Sequence, residues 1–587
     1  MQNKVLLNRG MEFAAKEDFL RAANIFQQLI EEDSNDAVAY NCLGAMQNRM
    51  NQFEEAEKSL RHALELVPEN IDALCNMGAL FISTHRLEEA KVYLEKAIQM
   101  NPNYPEVHSN LGLIQMAQGA FVDAEHSFQR AIKLKPNCAA IFNDLGLNQT
   151  KRELLAEAAS SFRQAIELKP DFPEAYNNLG IVLKDMNCIE EAAKTIYHAI
   201  KLNPNYAEAF NSLGAVLMDA TYNEVAEKCF YRAIRLRPNY PSAYHNLGVL
   251  FTNTNRFEEA ENCFCQAIKL NTNNAQTKFS LATLYLLQAQ YGKGWEKYNE
   301  ARRMQHSHVQ PDIPRWEGGN LAQKTILLYY EQGLGDTIHF VRYTQLISKL
   351  AERTVLWVQK PLQRLMQSSF PSMDIHGTED IGEIPPGKFD FSCPLPSLPM
   401  VFNTSQESIP QTIPYIKVCP EISEKWSKIK QLNNNIPFRV GVVWAGNPKH
   451  QNDHNRSIPI EVFADLFAVK EVTWVSLQVG EKEKDLEKVP YKVVTYTEKI
   501  SDFADTAGLM TYLDLVLTVD SAVAHLAGAM GKPTWVLLPF SPDWRWQIDR
   551  EDTPWYPTMK LFRQRKAGNW PEVLVRVKNA LFALISK

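Results

Sequence analysis

The sequence predicts an α-solenoid of helical hairpins followed by an α/β region of two lobes. Glycine recurs every 34 residues through the first half of the chain, and strand-like apolar runs alternate with amphipathic segments in the second half. Between the halves, Pro311, Pro314, Gly318 and Gly319 mark a boundary where the helical period stops. A chain of 587 residues also exceeds what one hydrophobic core usually supports, so several domains are expected.

The composition is that of an ordinary globular protein, with 45% hydrophobic and 22% charged residues. A formal net charge of −6 gives no reason to expect nucleic acid or an anionic membrane as a partner. Neither a secretory signal nor a long uncharged apolar run is visible, so we expect a cytoplasmic protein without a membrane span. The nine cysteines show no metal-ligand spacing, which favours free thiols over disulfides or zinc.

The repeat keeps one unbroken register. Its glycines are Gly10, Gly44, Gly78, Gly112, Gly146, Gly180, Gly214 and Gly248, with Ala282 in the next place. Alanine follows twelve positions after each glycine, and a bulky residue four positions later is expected to fill the groove between the two helices of a hairpin. These bulky residues are Phe26, Leu60, Leu94, Phe128, Phe162, Ile196, Phe230 and Phe264. Prolines such as Pro68 end the second helix, since proline lacks the N–H of a helix interior.

This pattern resembles the tetratricopeptide repeat family. The predicted array spans residues 1–308 as eight full repeats and a degenerate ninth, in which Ala282, Gly294, Tyr298 and Ala301 keep the register. The resemblance implies a superhelix of stacked hairpins whose groove binds an extended peptide or a partner domain. A protein partner is therefore expected in this groove.

A row of polar residues stands two positions before the repeat glycines. Its members are Asn76, Asn110, Asp144, Asn178, Ser212 and Asn246. An amide is both donor and acceptor, so the asparagines are candidates for binding the backbone of an acceptor peptide. They could equally tie neighbouring repeats together, and the two interpretations stay open.

The second half is predicted as two lobes joined by a linker. Apolar runs predict strands at 325–330, 354–358, 438–444, 472–477, 514–518 and 534–538. Their alternation with helical segments is typical of parallel sheets. The predicted domains are a first lobe at 309–420, a linker at 421–436 and a second lobe at 437–587.

Loops after the predicted strands carry the candidate site residues. They are Gly335, Asp336 and His339 after the first strand; Asn447, Lys449 and Arg456 after the third; and Asp520, Ser521, Ala522 and His525 after the fifth. Open α/β sheets bind ligands at the carboxyl ends of strands, and the helix that starts near Ser521 would favour a diphosphate. Lys449 or Arg456 would add positive charge, and Arg545 in a later aromatic segment is a further phosphate candidate.

Residues 325–587 resemble the heptosyltransferase-related glycosyltransferases of the GT-B fold, which has two Rossmann-like lobes. The matching motifs are Gly335-Asp336 and the Asp520-Ser521 pair with His525. The resemblance implies that Asp336 is the general base for an acceptor hydroxyl, with His339 as a substitute, and that the late motif contacts the donor sugar and diphosphate. It implies no metal and no cofactor, the donor substrate being a nucleotide-diphosphate sugar.

Structural roles stay open for several of these residues. Asp336 could instead cap the following helix, and His525 could be a packed core histidine. The aromatic residues around Trp544 and Trp555 are more typical of a structural anchor. The loop from Ala445 to His450 differs from the lysine-tryptophan-proline loop of the family, so the donor sugar does not follow from the resemblance.

These observations predict an inverting, metal-independent protein O-glycosyltransferase. It would move a sugar from a nucleotide sugar to Ser or Thr of a polypeptide held by the repeats, for example a flagellin or another surface protein. A similar layout occurs in the O-GlcNAc transferases, where an asparagine ladder grips the acceptor. The alternatives are a transferase acting on a lipid-linked or other glycan, and a non-catalytic scaffold with a degenerate GT-B domain.

Overall fold

The computed structural model describes residues 2–16, 18–305, 311–379, 384–427, 429, 438–448, 450 and 452–586. Before the first strand, these residues form eighteen helices in nine consecutive hairpins, which confirms the predicted α-solenoid. The helices are α1 Gln2–Ala15, α2 Phe19–Glu32, α3 Ala37–Arg49, α4 Phe53–Leu66, α5 Ile71–Ser83, α6 Leu87–Met100, α7 Pro105–Ala117, α8 Phe121–Leu134, α9 Ala139–Lys151, α10 Leu155–Leu168, α11 Pro173–Asp185, α12 Ile189–Leu202, α13 Ala207–Asp219, α14 Asn223–Leu236, α15 Pro241–Asn253, α16 Phe257–Leu270, α17 Ala275–Leu287 and α18 Tyr291–Gln305.

The repeat glycines lie where the two helices of a hairpin approach most closely. A β-carbon on Gly112 would lie 2.7 Å from the Phe128 ring, and one on Gly180 would lie 2.3 Å from Cγ1 of Ile196. Phe128 and Ile196 are fully buried. The bulky residue of each hairpin therefore occupies the space that a side chain on the glycine would need, as the sequence predicts.

From the second to the ninth hairpin, the turn between the two helices places one residue in the left-handed conformation. The φ angles lie between 59° and 79° at eight positions 34 residues apart: Asn51, His85, Gly119, Glu153, Asn187, Thr221, Asn255 and Ala289. In the second hairpin, the Asn51 N–H donates to Asn48 and the Gln52 N–H donates to Gln47, which is the pairing of a Schellman cap. Left-handed backbone disfavours most residues other than glycine, so hairpin packing imposes this turn on seven side chains.

The chain divides into two compact units, unit 1 at Met1–Pro238 and unit 2 at Asn239–Lys587. Unit 1 contains helices α1 to α14. Unit 2 contains the last two hairpins together with the α/β region. All eleven tryptophans lie in unit 2, so tryptophan fluorescence reports on the unfolding of that unit.

Within unit 1, the first helices of successive hairpins pack on one another. Helix α3 contacts α5, α5 contacts α7, and α11 contacts α13, whereas contacts between successive second helices are sparse among the described residues. The first helices are therefore closer together than the second helices. They line the concave face of unit 1.

The α/β region contains two parallel sheets, which confirms the predicted sheet type. The first has the order β3-β2-β1-β4 and the second has the order β6-β5-β7-β8-β9, and every pair is parallel. The strands are β1 Thr325–Tyr329, β2 Arg353–Gln359, β3 Asp374–Thr378, β4 Phe391–Pro394, β5 Arg439–Val443, β6 Thr473–Ser476, β7 Leu515–Val519, β8 Thr534–Leu538 and β9 Met559–Arg563.

Ten further helices connect and cover these strands. They are α19 Leu334–Phe340, α20 Thr344–Ile347, α21 Gln363–Ser369, α22 Leu398–Val401, α23 Pro420–Lys425, α24 Asp453–Arg456, α25 Ile460–Phe463, α26 Phe503–Met510, α27 Ala522–Ala529 and α28 Trp570–Ile585. Parallel neighbours need a connection that crosses back over the sheet, and helices lie in the connections β1–β2, β2–β3, β5–β6, β6–β7 and β7–β8.

All six predicted strands are present, and sequence analysis missed β3, β4 and β9. Strand β3 has the half-exposed polar sequence Asp-Ile-His-Gly-Thr, and β4 has four residues and ends in proline, so neither gives a clear apolar signal. The linker predicted at 421–436 lies partly outside the described residues.

Two composition-based expectations can be compared with the fold. Among the described residues, no helix combines the length and the hydropathy that a membrane span requires. All nine cysteines are free thiols, and three of them, Cys75, Cys229 and Cys393, are buried.

Gly248→Ala is expected to destabilise unit 2 by about 1–3 kcal/mol, because the added methyl would lie 2.6 Å from the ring of Phe264 in a packed core. Gly292→Ala is the matched control. Its β-carbon meets no atom within 4 Å, and the gain in helix propensity is expected to stabilise α18 by up to about 1 kcal/mol. Urea unfolding, followed by tryptophan fluorescence, measures the free energy of unfolding of both variants. Equal effects of the two substitutions would contradict the packing argument.

Candidate functional site

The segments that follow β1 and β7 meet between the two sheets. Strand β1 leads into α19, which carries the Gly335-Asp336 motif, and β7 leads into α27, which carries His525. Helix α19 packs directly on α27. The structure therefore brings together the two motifs that lie far apart in the sequence.

Gly335 allows this close approach of the two helices. A β-carbon at Gly335 would lie 2.9 Å from Cδ2 of His525 and 3.4 Å from Cα of Ala522. A larger residue would push α19 away from α27. Gly335 is a helix-packing position in this structure, and its role in donor binding stays a prediction.

Asp336 uses both carboxylate oxygens in contacts within unit 2. Oδ2 accepts a hydrogen bond from the Gly333 N–H at 3.1 Å, which caps α19, and Oδ1 pairs with the guanidinium group of Arg545. About a quarter of the side chain is exposed, with a relative accessibility of 25%. To accept a proton from a substrate, the carboxylate would first have to leave Arg545.

Arg545 is buried between two carboxylates and an indole ring. Its backbone N–H and Nη1 donate to Oδ1 of Asp543 at 3.0 and 2.9 Å, while Nη2 pairs with Asp336. The guanidinium carbon lies 4.3 Å from the centroid of Trp544. Arg545 thereby ties the segment after β8 to the start of α19. A buried guanidinium is suited to hold an anion in a defined geometry.

His339 and His525 are buried and share one tyrosine. Nδ1 of each histidine lies 3.0 Å from the hydroxyl oxygen of Tyr556. Burial lowers the pKa of both imidazoles well below the ordinary value, so both are neutral at neutral pH. Since His339 is fully buried, proton transfer to a substrate would require the core to open.

Sequence analysis missed Arg342, which holds this network together. Its Nε and Nη1 donate to the carbonyl oxygens of His339 and Trp555 at 2.9 Å, and Nη2 donates to the Tyr415 hydroxyl at 3.0 Å. An arginine in an amphipathic helical segment carries no signal in the sequence, because most such side chains face solvent. Tyr556 lies in the aromatic segment that the sequence identified as an anchor.

Asp520 follows β7 and lies close to other charged groups of the site. Burial and the carboxylate of Asp543 raise the pKa of Asp520 to about 6, and Arg456 and Arg545 oppose this shift. Partial burial and Arg456 lower the pKa of His450, while Asp543 and Asp336 oppose that shift. Asp336 follows β1, Arg456 follows β5 and Asp520 follows β7, so these charges belong to segments at the carboxyl ends of the three strands.

Arg456 is fixed by its own loop. Oδ1 of Asp453 accepts from Arg456 Nε at 3.3 Å and from the Ser457 hydroxyl at 2.9 Å. A β-carbon on Gly446 would lie 2.6 Å from Oδ1 of Asp453 and 2.7 Å from Nη2 of Arg456. The glycine after β5 therefore makes room for the ion pair. Sequence analysis assigned Gly446 no function.

The remaining predicted donor-binding residues lie around this cluster. Asn447 is exposed, and Lys449 lies outside the described residues. Ser521 precedes α27 and its hydroxyl lies 3.1 Å from that of Thr518, while Ala522 is the first residue of the helix. The first N–H groups of a helix have no acceptor within it, so the start of α27 can donate to a ligand. Within the described parts of the chain, no group of three or more His, Cys, Asp or Glu residues could hold a metal.

Helix α18, the last helix of the repeats, holds the loop between β1 and α19. The Tyr298 hydroxyl donates to Oε1 of Gln332 at 2.7 Å, and Nη2 of Arg302 donates to the carbonyl oxygen of Glu331 at 3.0 Å. Nε of Arg302 also lies 3.6 Å from the buried carboxylate of Glu331. The loop that leads to Asp336 is therefore positioned by the repeats as well as by the sheet.

The same helix also packs on the segment that carries Arg545. Nε1 of Trp295 donates to the carbonyl oxygen of Thr404 at 3.0 Å, and its ring meets that of Trp544 edge-on at 5.3 Å. Nε2 of Gln547 donates to the Tyr291 hydroxyl at 2.9 Å. Within unit 2, the last hairpin and both sheets form one continuous core.

The asparagines of the repeat row contact the preceding repeat. In unit 1, Nδ2 of Asn76 donates to Oδ1 of Asn41 at 2.8 Å, and Nδ2 of Asn178 donates to Oδ1 of Asn143 at 2.9 Å. Nδ2 of Asn110 donates to the carbonyl oxygen of Cys75 at 3.2 Å. These amides tie neighbouring repeats together. Asn246, the fourth candidate, lies in unit 2, and binding of an acceptor peptide by the row stays a prediction.

Family models match the repeats in several places. A model described as the middle TPR-like domain of cilia and flagella-associated protein 70 matches residues 6–118, and tetratricopeptide repeat models match 105–138, 150–187, 173–206 and 241–274. Tetratricopeptide repeats thus occur across the N-terminal region.

A curated relative matches part of the chain. Protein FlbA of Caulobacter vibrioides is 26% identical over 332 residues, which are 52% of this chain and 54% of FlbA. The chain spans about half the length of this relative.

Solved structures with related repeats show only distant likeness. The APC/C hetero-tetramer Cut9–Hcn1 is 15% identical over 45% of this chain and 52% of that chain, with a TM-score of 0.41. YrrB, described as a TPR protein with an unusual peptide-binding site, is 22% identical over 32% of this chain and 96% of its own, with a TM-score of 0.26. Neither likeness is close enough to carry an argument about function.

Arg545→Met is expected to destabilise unit 2 by about 2–3 kcal/mol, because Asp336 and Asp543 would lose a buried counter-ion. This loss of stability is smaller than for a fully buried ion pair, because the carboxylates of Asp336 and Asp543 are partly exposed. Arg353→Met is the matched control. Arg353 is half exposed in its pair with Asp374, and its loss is expected to cost at most about 1 kcal/mol. Urea unfolding by tryptophan fluorescence compares the two, and similar losses would refute a special role for Arg545.

His525→Gln is expected to weaken the pH dependence of the stability of unit 2. The pKa of His525 lies well below 6.5 in the folded chain, so the unfolded chain binds the proton first and the free energy of unfolding falls as the pH drops below about 6.5. One such histidine contributes up to about 1.4 kcal/mol per pH unit. Asp520 has the opposite effect on the free energy of unfolding, because its folded pKa lies above its ordinary value. Its contribution rises as the pH falls from about 6 to 4.

The measurement is urea unfolding of the wild type and His525→Gln at several pH values between about 7.5 and 5. The difference between the two free energies isolates His525 from Asp520 and His339. Parallel curves for the two proteins would show that His525 is not held neutral by the fold.

Proposed function

We propose that the chain is a glycosyltransferase of the GT-B type whose repeats hold a polypeptide acceptor. The observation that carries this proposal is the convergence of Asp336, Arg456, Asp520 and Arg545 at the carboxyl ends of β1, β5 and β7. Parallel α/β sheets bind ligands at that edge. Two arginines beside a free helix N-terminus suit a nucleotide diphosphate.

The donor side of this site is formed by the second sheet. Arg456 and Arg545 would hold the diphosphate together with the N–H groups at the start of α27, next to Ser521 and Ala522. Asp520 would accept hydrogen bonds from sugar hydroxyls, as carboxylates do in sugar sites. This arrangement needs no metal, since the arginines and the helix N-terminus neutralise the leaving diphosphate.

Asp336 is the proposed general base on the acceptor side. It would take the proton of a Ser or Thr hydroxyl while the hydroxyl oxygen attacks the anomeric carbon and the bond to the nucleotide diphosphate breaks. In this structure, Arg545 holds this carboxylate. A bound diphosphate would compete for Arg545 and free Asp336, so donor binding is expected to precede acceptor deprotonation.

A non-catalytic scaffold is the second candidate function. Two contacts of the proposed bases favour it. Both carboxylate oxygens of Asp336 already accept hydrogen bonds, and the His339 side chain is fully buried. A scaffold would keep this arrangement at all times, whereas an enzyme would open it when the donor binds.

Asp336→Asn is expected to lower sugar transfer by about 100- to 10,000-fold while leaving donor binding intact, because the amide still caps α19 but cannot take a proton. The full chain is incubated with radiolabelled UDP-, GDP-, ADP- and CMP-sugars and a bacterial lysate, and label is counted in protein and in lipid fractions. Asp374→Asn, an exposed acid of the first sheet, is the matched control and should transfer at the wild-type rate.

Label in the protein fraction supports the proposal, and label confined to the lipid fraction assigns a different acceptor. Absence of transfer, of donor hydrolysis and of donor binding in a thermal-shift assay would leave the scaffold as the function. Equal transfer by Asp336→Asn and the wild type would remove Asp336 from the catalytic role.

A further inference from the structure

Asp144 is the one acidic residue in the polar row of unit 1. It lies on α9, a first helix of a hairpin, and first helices line the concave face of this unit. Its neighbours in the row are Asn110 and Asn178, each 34 residues away. A carboxylate here replaces a neutral amide at the centre of the row.

The carboxylate cannot make the contact that its neighbours make. Asn76, Asn110 and Asn178 each donate an N–H to the residue 35 positions earlier in the chain. The equivalent residue for Asp144 is Ser109, whose hydroxyl could donate to the carboxylate, but among the described residues the two form no hydrogen bond. The structural function of the row therefore does not account for an acid at this position.

The surroundings of Asp144 provide no positive charge. Burial raises the pKa of Asp144 to about 6, and the side chain of Asn143 is the group that opposes this shift. Among the described residues, no lysine or arginine forms an ion pair with Asp144. The side chain of Asn143 hydrogen-bonds to the carboxylate, but burial of a charge without a counter-ion still costs free energy, so the fold does not need an ionised acid here.

Lysines on α9 and α11 do not pair with Asp144. Nζ of Lys184 on α11 lies 3.5 Å from Asp185 and 3.4 Å from Asp219, so its charge is shared by two other acids. Lys151 lies two turns beyond Asp144 at the end of α9 and is exposed. Asp144 is half-buried, and neither of these lysines forms an ion pair with it.

We propose that Asp144 is the recognition point for a lysine or arginine side chain of the polypeptide bound by unit 1. The flanking amides of Asn110 and Asn178 would lie beside the peptide backbone, while the carboxylate selects one basic side chain. A charge-assisted hydrogen bond in a partly desolvated groove favours such a side chain over a neutral one of similar length. The proposal concerns peptide binding and does not depend on sugar transfer.

A displayed library of random linear peptides, selected on the full chain, tests this proposal. The enriched peptides are expected to share one lysine or arginine. Replacing it by norleucine, which keeps the alkyl stem, should weaken binding to the wild type by about tenfold or more, whereas Asp144→Asn should bind both peptides with similar affinity. Asp123→Asn removes an exposed acid from the second helix α8 and should behave as the wild type.

A second readout separates recognition from damage to the fold. Since burial penalises the carboxylate, Asp144→Asn is expected to raise the thermal stability of unit 1 at neutral pH, as followed by circular dichroism. A more stable variant with weaker binding of basic peptides supports the proposal. Enriched peptides without a basic residue, no enriched peptide at all, or equal effects of norleucine on the wild type and Asp144→Asn would overturn it.

Discussion

Close contact between helices at positions without a β-carbon organises both halves of this chain. In the repeats, each glycine makes room for a bulky residue of the second helix, as Gly112 does for Phe128. In the α/β region, Gly335 makes room for His525 and allows α19 to lie against α27. Packing density leaves no space for an extra methyl at these contacts. The spacing of the hairpins and the meeting of the two motifs thus depend on the same physical constraint.

The contact between α19 and α27 buries polar groups, and the fold compensates with an extended network. Tyr556 bridges two neutral histidines, Arg342 donates to two carbonyl oxygens and a tyrosine, and Arg545 lies between two carboxylates. A buried polar group is costly unless it is paired. Loss of one contact would leave its partner unpaired, so each contact depends on the others. The network holds the region around Asp336 closed. A site used for chemistry would have to exchange part of this network for contacts with a ligand.

The last hairpin has a different role from the hairpins of unit 1. Tyr298 and Arg302 hold the loop before Asp336, and Trp295 packs on the aromatic segment that carries Arg545. These residues still follow the repeat pattern, and their partners come from the α/β region. Unit 1, by contrast, uses its amides to join one repeat to the next and leaves Asp144 without a cation. The repeats therefore combine a structural part in unit 2 with a surface in unit 1 that remains available to a partner.

The sequence by itself determined the local architecture. The period of 34 residues, the pairs of glycine and bulky residue and the six apolar strands all follow from spacing, because helix and strand periodicities are local properties of the chain. Short or polar strands such as β3 and β4 lack that signal. The left-handed residue in the turns of the second to ninth hairpins also escapes sequence reasoning, because hairpin packing imposes it on seven residues of five types besides Gly119.

Only the tertiary structure decided which side chains meet. The sequence placed Asp336, Asp520 and Arg545 on separate loops, and it assigned no role to Arg342 or Asp453. The fold pairs Asp336 with Arg545, buries His339 against Tyr556 and directs Tyr298 of the repeats to the loop before Asp336. These contacts join residues that are distant in the chain. Their partners depend on how sheets and helices pack, which no local pattern encodes.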